Sequence, residues 1–155
     1  MTGCSMQDIQ RLQDNLQTIR QVGGWTAEEF GEMIGVTKQT ISNLENKRTA
    51  MTKTMYIAIR AVLDAEIKEM PENTALAQMV DLLLNSDDLS PEIREKARNA
   101  AAFASGARKS GIESAAITAG IVALMGAAFL TSPALLGITG AWLLPIIKRK
   151  GRSDS

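Results

Sequence analysis

Residues 114–147 contain no charged side chain, a run of 34 in a protein of 155. A helix lying on a protein surface needs a polar face, so this run has to be hidden, either in lipid or in protein. The rest is ordinary amphipathic sequence. Residues 1–70 carry 8 basic and 9 acidic side chains, and residues 71–110 carry 5 and 6. The expected organisation is therefore a water-facing front over 1–70, a helical linker or oligomerisation region over 71–110, and an apolar rear with a basic tail over 111–155.

Composition excludes several kinds of chemistry. The chain has no His and a single Cys, Cys4, so one chain cannot assemble an ordinary zinc site or a disulfide framework. Catalysis by a serine or cysteine nucleophile lacks its histidine base. The acids are scattered, and nothing pairs them in a recognisable site. The expectation is a protein that is not an enzyme, with no cofactor and no metal. The first residues lack a basic-led apolar stretch, so no cleavable secretion signal is expected.

The periodicities are helical throughout. Ile9, Leu12, Leu16, Ile19 and Val22 recur at spacings of three and four, one face of a helix that Gly23-Gly24 ends. Thr26 with Glu29 three residues on is a capping-box pattern, opening a short helix with Phe30 and Ile34 inward. Gly35 breaks that helix, and Thr37 caps the next, with Ile41 and Leu44 inward. A fourth helix is expected over 54–67, with Ile57, Ala61, Leu63 and Asp64 near its centre and Pro71 closing it. Residues 74–84 and 91–108 read as two more, the second opened by Ser90-Pro91-Glu92 as N-cap, N1 proline and first-turn acid. No useful stretch alternates with period two. The fold class is all-α.

The chemistry lies in the two short helices at 26–34 and 37–45, which have the dimensions of a helix-turn-helix. Gly31 lets the second helix approach the first, and Gly35 can take the positive φ of a tight turn. With Val36, Ile41 and Leu44 as anchors, Lys38, Gln39, Ser42 and Asn43 face outward. Such a face suits base edges and phosphates in a DNA major groove. The stretch IRQVGGWTAEEFGEMIGVTKQTISNLENKR resembles the phage repressor and Cro type of helix-turn-helix, the Xre family, and the resemblance covers residues 12–67. It implies a compact five-helix domain that binds a palindromic operator in double-stranded DNA as a homodimer. By position, it implies base reading by Lys38, Gln39 and Asn43, with Ser42 on the same outward face. It implies phosphate contacts by Thr37 and Thr40, and a backbone grip by Lys47, Arg48 and Lys53. Arg20 and Glu45 match a structural ion pair and stay out of the DNA site. Two positions depart from the family pattern. Ala27 stands where a phosphate-binding Gln is common, and Lys47 stands where a glycine commonly follows the Glu-Asn pair. Leaving Glu45 aside, residues 37–53 hold four positive charges and no acid, a local patch able to attract DNA although the whole chain is neutral.

The apolar rear divides at Thr131-Ser132-Pro133 into legs over 112–130 and 134–147, with basic residues at both ends. Both basic ends then belong on the cytoplasmic side, and a helical hairpin in the membrane through 112–147 satisfies this. The function expected from the sequence is thus a sequence-specific transcriptional regulator, a repressor, held at the cytoplasmic face of the cell membrane. The alternative is a soluble, cytoplasmic oligomeric scaffold or antitoxin-like protein whose apolar tail assembles with itself or a partner. Met51, Met55 and Met70 read as core filler.

Overall fold

A computed structural model of the chain describes residues 5–70, 73–85 and 89–129. Among these residues there are seven α-helices and no strand: α1 (Met6–Gly23), α2 (Ala27–Ile34), α3 (Lys38–Glu45), α4 (Lys53–Glu69), α5 (Thr74–Asn85), α6 (Pro91–Lys109) and α7 (Ser114–Met125). A short 3-10 turn over Gly126–Phe129 follows α7. The starts are set by side-chain caps. Ser5, Thr26, Thr37, Thr52 and Ser90 each accept the amide three residues on, satisfying a donor that the first helical turn leaves open.

The five apolar residues read from the α1 stripe are all buried. Around them lies the rest of the fold, since α1 contacts α3, α4, α5 and α6. Little of α1 is left to water: between Gln7 and Val22, only Gln7, Gln10, Asp14 and Gln17 are exposed. One buried cluster runs without interruption from Ile9 to Phe129. Helix α6 joins it through alanines. Ala97, Ala100, Ala101, Ala104 and Ala107 are buried, and their small side chains let α1 and α7 approach closely.

In α4 the buried residues are Tyr56, Ile59, Arg60 and Leu63, whereas Ile57 is half-buried and Ala61 exposed. Arg60 lies inward because its guanidinium reaches the Tyr56 hydroxyl and Asn85 Oδ1, both at 3.3 Å, and its stem can then be buried. The first apolar leg, expected as a helix over 112–130, is shorter. Helix α7 has 12 residues, about 18 Å at the α-helical rise, against a hydrocarbon core of about 30 Å. Its Ile117, Ile121 and Met125, with Phe129 beyond, are buried against α5 and α6. No helix among the described residues is long and apolar enough to cross a membrane. The turn at 131–133 and the leg at 134–147 lie outside the described residues.

Candidate nucleic-acid interface

The angle between α2 and α3 is fixed by two glycines. A Cβ at Gly31 would stand 2.7 Å from the Val36 carbonyl oxygen, too near for any other side chain without moving the turn. Gly35 lies at φ 96°, a region costly for residues with a Cβ. Its amide and that of Val36 both donate to the Gly31 carbonyl at 2.8 Å, closing α2 and launching α3 in a set direction.

Behind α3 stand two polar anchors. Arg20 grips Glu45 with two bonds, Nε to Oε2 at 2.5 Å and Nη2 to Oε1 at 3.1 Å, and donates from Nη1 to the Trp25 carbonyl at 2.8 Å. Only 11% and 7% of the two side chains is exposed, so this bidentate pair joins α1, the α1–α2 turn and the end of α3. The second anchor is Gln13, which sequence reasoning missed. Its Nε2 donates to the carbonyls of Leu44 and Thr49 at 2.9 and 2.8 Å, and its Oε1 accepts the Met51 amide at 3.1 Å. One buried amide thereby fastens both ends of the loop between α3 and α4. The only available signal was a polar residue beside Leu12 on the inward stripe.

On the outer face of α3, Gln39 is exposed and donates from Nε2 to Asn43 Oδ1 at 3.0 Å. The two amides, one turn apart, stand as a pre-aligned pair with donor and acceptor capacity left over. Lys38, the first residue of α3, and Lys53, the first of α4, are exposed, as is Arg48 in the loop between them. No ion pair engages these three cations among the described residues. Thr37 is the N-cap: its Oγ1 accepts the Thr40 amide at 3.1 Å and lies 3.0 Å from Thr40 Oγ1. Ser42 is half-buried and accepts from Asn46 Nδ2, at 2.9 Å on its carbonyl and 3.3 Å on its hydroxyl. Lys47 is engaged too, its Nζ lying 2.6 Å from Asp14 Oδ1. The fold thus brings Lys38, Gln39, Arg48 and Lys53 to solvent, with the half-buried Asn43 bonded to Gln39, while Thr37, Ser42 and Lys47 have other partners within the chain.

Lys47 also explains a departure from the pattern. It has a φ of 59° and is, among the described residues, the sole non-glycine residue with positive φ. The Arg48 amide donates to the Asn43 carbonyl at 2.8 Å and the Lys47 amide to that of Leu44 at 3.2 Å. This is a Schellman closure, whose left-handed position ordinarily takes glycine.

One further group of cations comes from a distant part of the chain. Arg108, near the end of α6, lies across Gly24 and donates from Nη1 to the Gln21 carbonyl at 3.3 Å. A Cβ at Gly24, which has φ 93°, would stand 2.9 Å from the Arg108 guanidinium. Burial draws the Arg108 pKa below its ordinary value, with the field of Glu29 opposing.

Comparison with known proteins agrees with this geometry. Residues 16–70 match the family model described as Helix-turn-helix, and the chain carries a repressor-like helix-turn-helix domain, of the Xre family, at those positions. The antitoxin HipB of Escherichia coli (strain K12) is 35% identical over 54 residues, which make up 35% of this chain and 61% of HipB. The chain thus spans under two thirds of the length of the curated relative it matches. No solved structure matches it.

Proposed function

We propose that the protein is a sequence-specific, DNA-binding transcriptional regulator without catalytic activity, acting as a repressor and binding a palindromic operator as a homodimer. The observation that carries this reading is the outer face of α3. The Gln39–Asn43 amide pair stands on a helix whose direction is fixed from behind, flanked by the unengaged cations Lys38, Arg48 and Lys53. Amides bonded one turn apart suit the donor–acceptor edge of a base in the major groove. The lysines and arginine suit the phosphates beside it. Membrane attachment is no part of this reading, because the inward side of the first apolar leg packs into the protein's own core.

The test is a gel-shift titration, at several salt concentrations, on an operator selected from random duplexes. Gln39→Ala should relax sequence preference and weaken operator binding by about 1–3 kcal/mol. Arg48→Ala should weaken binding to every sequence and flatten the salt dependence. Two unaltered titrations would sink the assignment.

A second reading, an antitoxin-like protein whose C-terminal part contacts a partner or a second copy, is favoured by the likeness to HipB and by one observation. Val122 and Leu124 are 38% and 45% exposed, as is Ile112 just before the helix at 45%, so α7 presents apolar side chains to solvent as well as to the core. Sedimentation equilibrium of the full chain measures its self-assembly. Leu124→Lys should lower the associated fraction if this side joins two copies, and an unchanged mass distribution would exclude self-assembly there.

A further inference from the structure

Between the end of α6 and the starts of α2 and α3 lies a cleft of about 420 Å³. Four cations line it, Arg20, Lys38, Arg108 and Lys109, and no acid does among the described residues. Arg20 is committed to Glu45. Arg108 gives one nitrogen to the Gln21 carbonyl, and Glu29 is the acid whose field it feels. Lys38 and Lys109 are exposed and have no ion pair among the described residues. The walls come from opposite ends of the fold, for Lys38 opens α3 whereas Lys109 closes α6.

We infer that this cleft holds a backbone phosphate of bound duplex DNA, so that the end of α6, outside the helix-turn-helix, is part of the DNA interface. The inference rests on the DNA-binding reading given above and extends it to Arg108 and Lys109. Three cations with incomplete compensation around one concavity make a site for a compact anion. The commonest compact anion along a DNA groove is the phosphodiester, and contacts to it fix register and orientation. Lys38 belongs both to the cleft and to the α3 face, immediately before Gln39, so a duplex lying on that face passes the cleft mouth. The Arg108 guanidinium, seated over Gly24 and held by the Gln21 carbonyl, is oriented before DNA arrives. Lys109 beside it is the more mobile point charge.

The experiment uses the full chain and a mixed-sequence duplex, with affinity followed by fluorescence anisotropy between 50 and 200 mM salt. Each phosphate neutralised on B-DNA contributes about −0.9 to the slope of log affinity against log salt. Lys109→Ala should therefore shallow the slope by about 0.9, so that raising the salt over this range costs the variant about threefold less affinity than it costs wild type. Its melting temperature should not change, since Lys109 is exposed and has no ion pair among the described residues. Lys109→Glu should weaken binding further. If wild type binds and the Lys109→Ala slope equals its slope, the α6 contribution is overturned while the DNA reading stands. If wild type binds no duplex at all, the DNA reading falls and this inference with it. A parallel melt with inorganic phosphate separates a free anion from DNA. Stabilisation of wild type but not of Lys109→Ala, with equal DNA slopes, would assign the cleft to free phosphate and overturn the inference.

Discussion

Lys47 holds a backbone conformation that its side chain disfavours. The left-handed region costs a residue with a Cβ about 1–2 kcal/mol, and the ion pair with Asp14 offsets only part of that. Its two side chains are 56% and 43% exposed, and pairs so open to water contribute about 0–1 kcal/mol. Glycine would remove the strain but would loosen the unfolded chain, at about 0.4–1 kcal/mol. The balance favours glycine slightly. Lys47→Gly should raise the melting temperature by about 1–2 °C, read by calorimetry on the full chain. A lower melting temperature would mean that the Asp14 contact outweighs the backbone strain. A residue kept at such a position by a carboxylate on α1 gives the α3–α4 loop a second attachment to that helix, beside Gln13.

Gln13 acts between elements. Its three bonds to Leu44, Thr49 and Met51 are largely out of water, and Gln13→Ala leaves two carbonyls and an amide to find new partners. Each unsatisfied buried group costs about 1–3 kcal/mol, and the loop can recover part of this by admitting water, so a loss of about 3 kcal/mol is expected. Urea unfolding measures it, and a midpoint equal to wild type would mean that the loop holds itself. Elements such as α2, α3 and α6 were legible in the sequence because their starts are written locally, in Thr26 with Glu29, in Thr37, and in Ser90-Pro91. Contacts between distant residues were not. Nothing in a periodic pattern marks Gln13 as a clamp on residues 44–51, or brings Arg108 to Gln21 across 87 positions. The inward face of α4 was not legible, because its buried residues include Tyr56 and Arg60, which count as polar although their stems pack inward. Of the interface, the exposed α3 positions were legible from helical spacing. The internal partner of Lys47 was not, since Asp14 lies on another helix and spacing alone does not bring the two into contact.

At the scale of the whole molecule, the charge-free run has to be hidden, and hydropathy cannot tell burial in lipid from burial in protein. Helix α7 and the turn after it hide the inner side of residues 114–129 in protein. Ile117, Ile121, Met125 and Phe129 cover the alanine face of α6 and one side of α5, with Gln78 Nε2 donating to the Phe129 carbonyl at 3.4 Å. Each such side chain contributes about 1.5–3 kcal/mol on full burial, reduced by the entropy of ordering the segment. A chain ending at Ser110 should therefore unfold at a clearly lower urea concentration than one ending at Phe129. Coincident unfolding curves for the two would show that the C-terminal helix adds nothing to the core it lies on.

The family match begins at Leu16, yet α1 begins at Met6, so the recognisable domain starts in the middle of a helix. The ten residues before it supply Ile9 and Leu12 to the core, Gln13 to the loop and Asp14 to Lys47. Arg11 among them donates to the Leu84 carbonyl at the end of α5. A boundary drawn by resemblance is then not a boundary of folding. Recombination that moved residues 16–70 alone into another protein would leave behind half of the helix around which the rest of the fold lies. In this chain, the matched residues and the helices beyond them share one buried cluster.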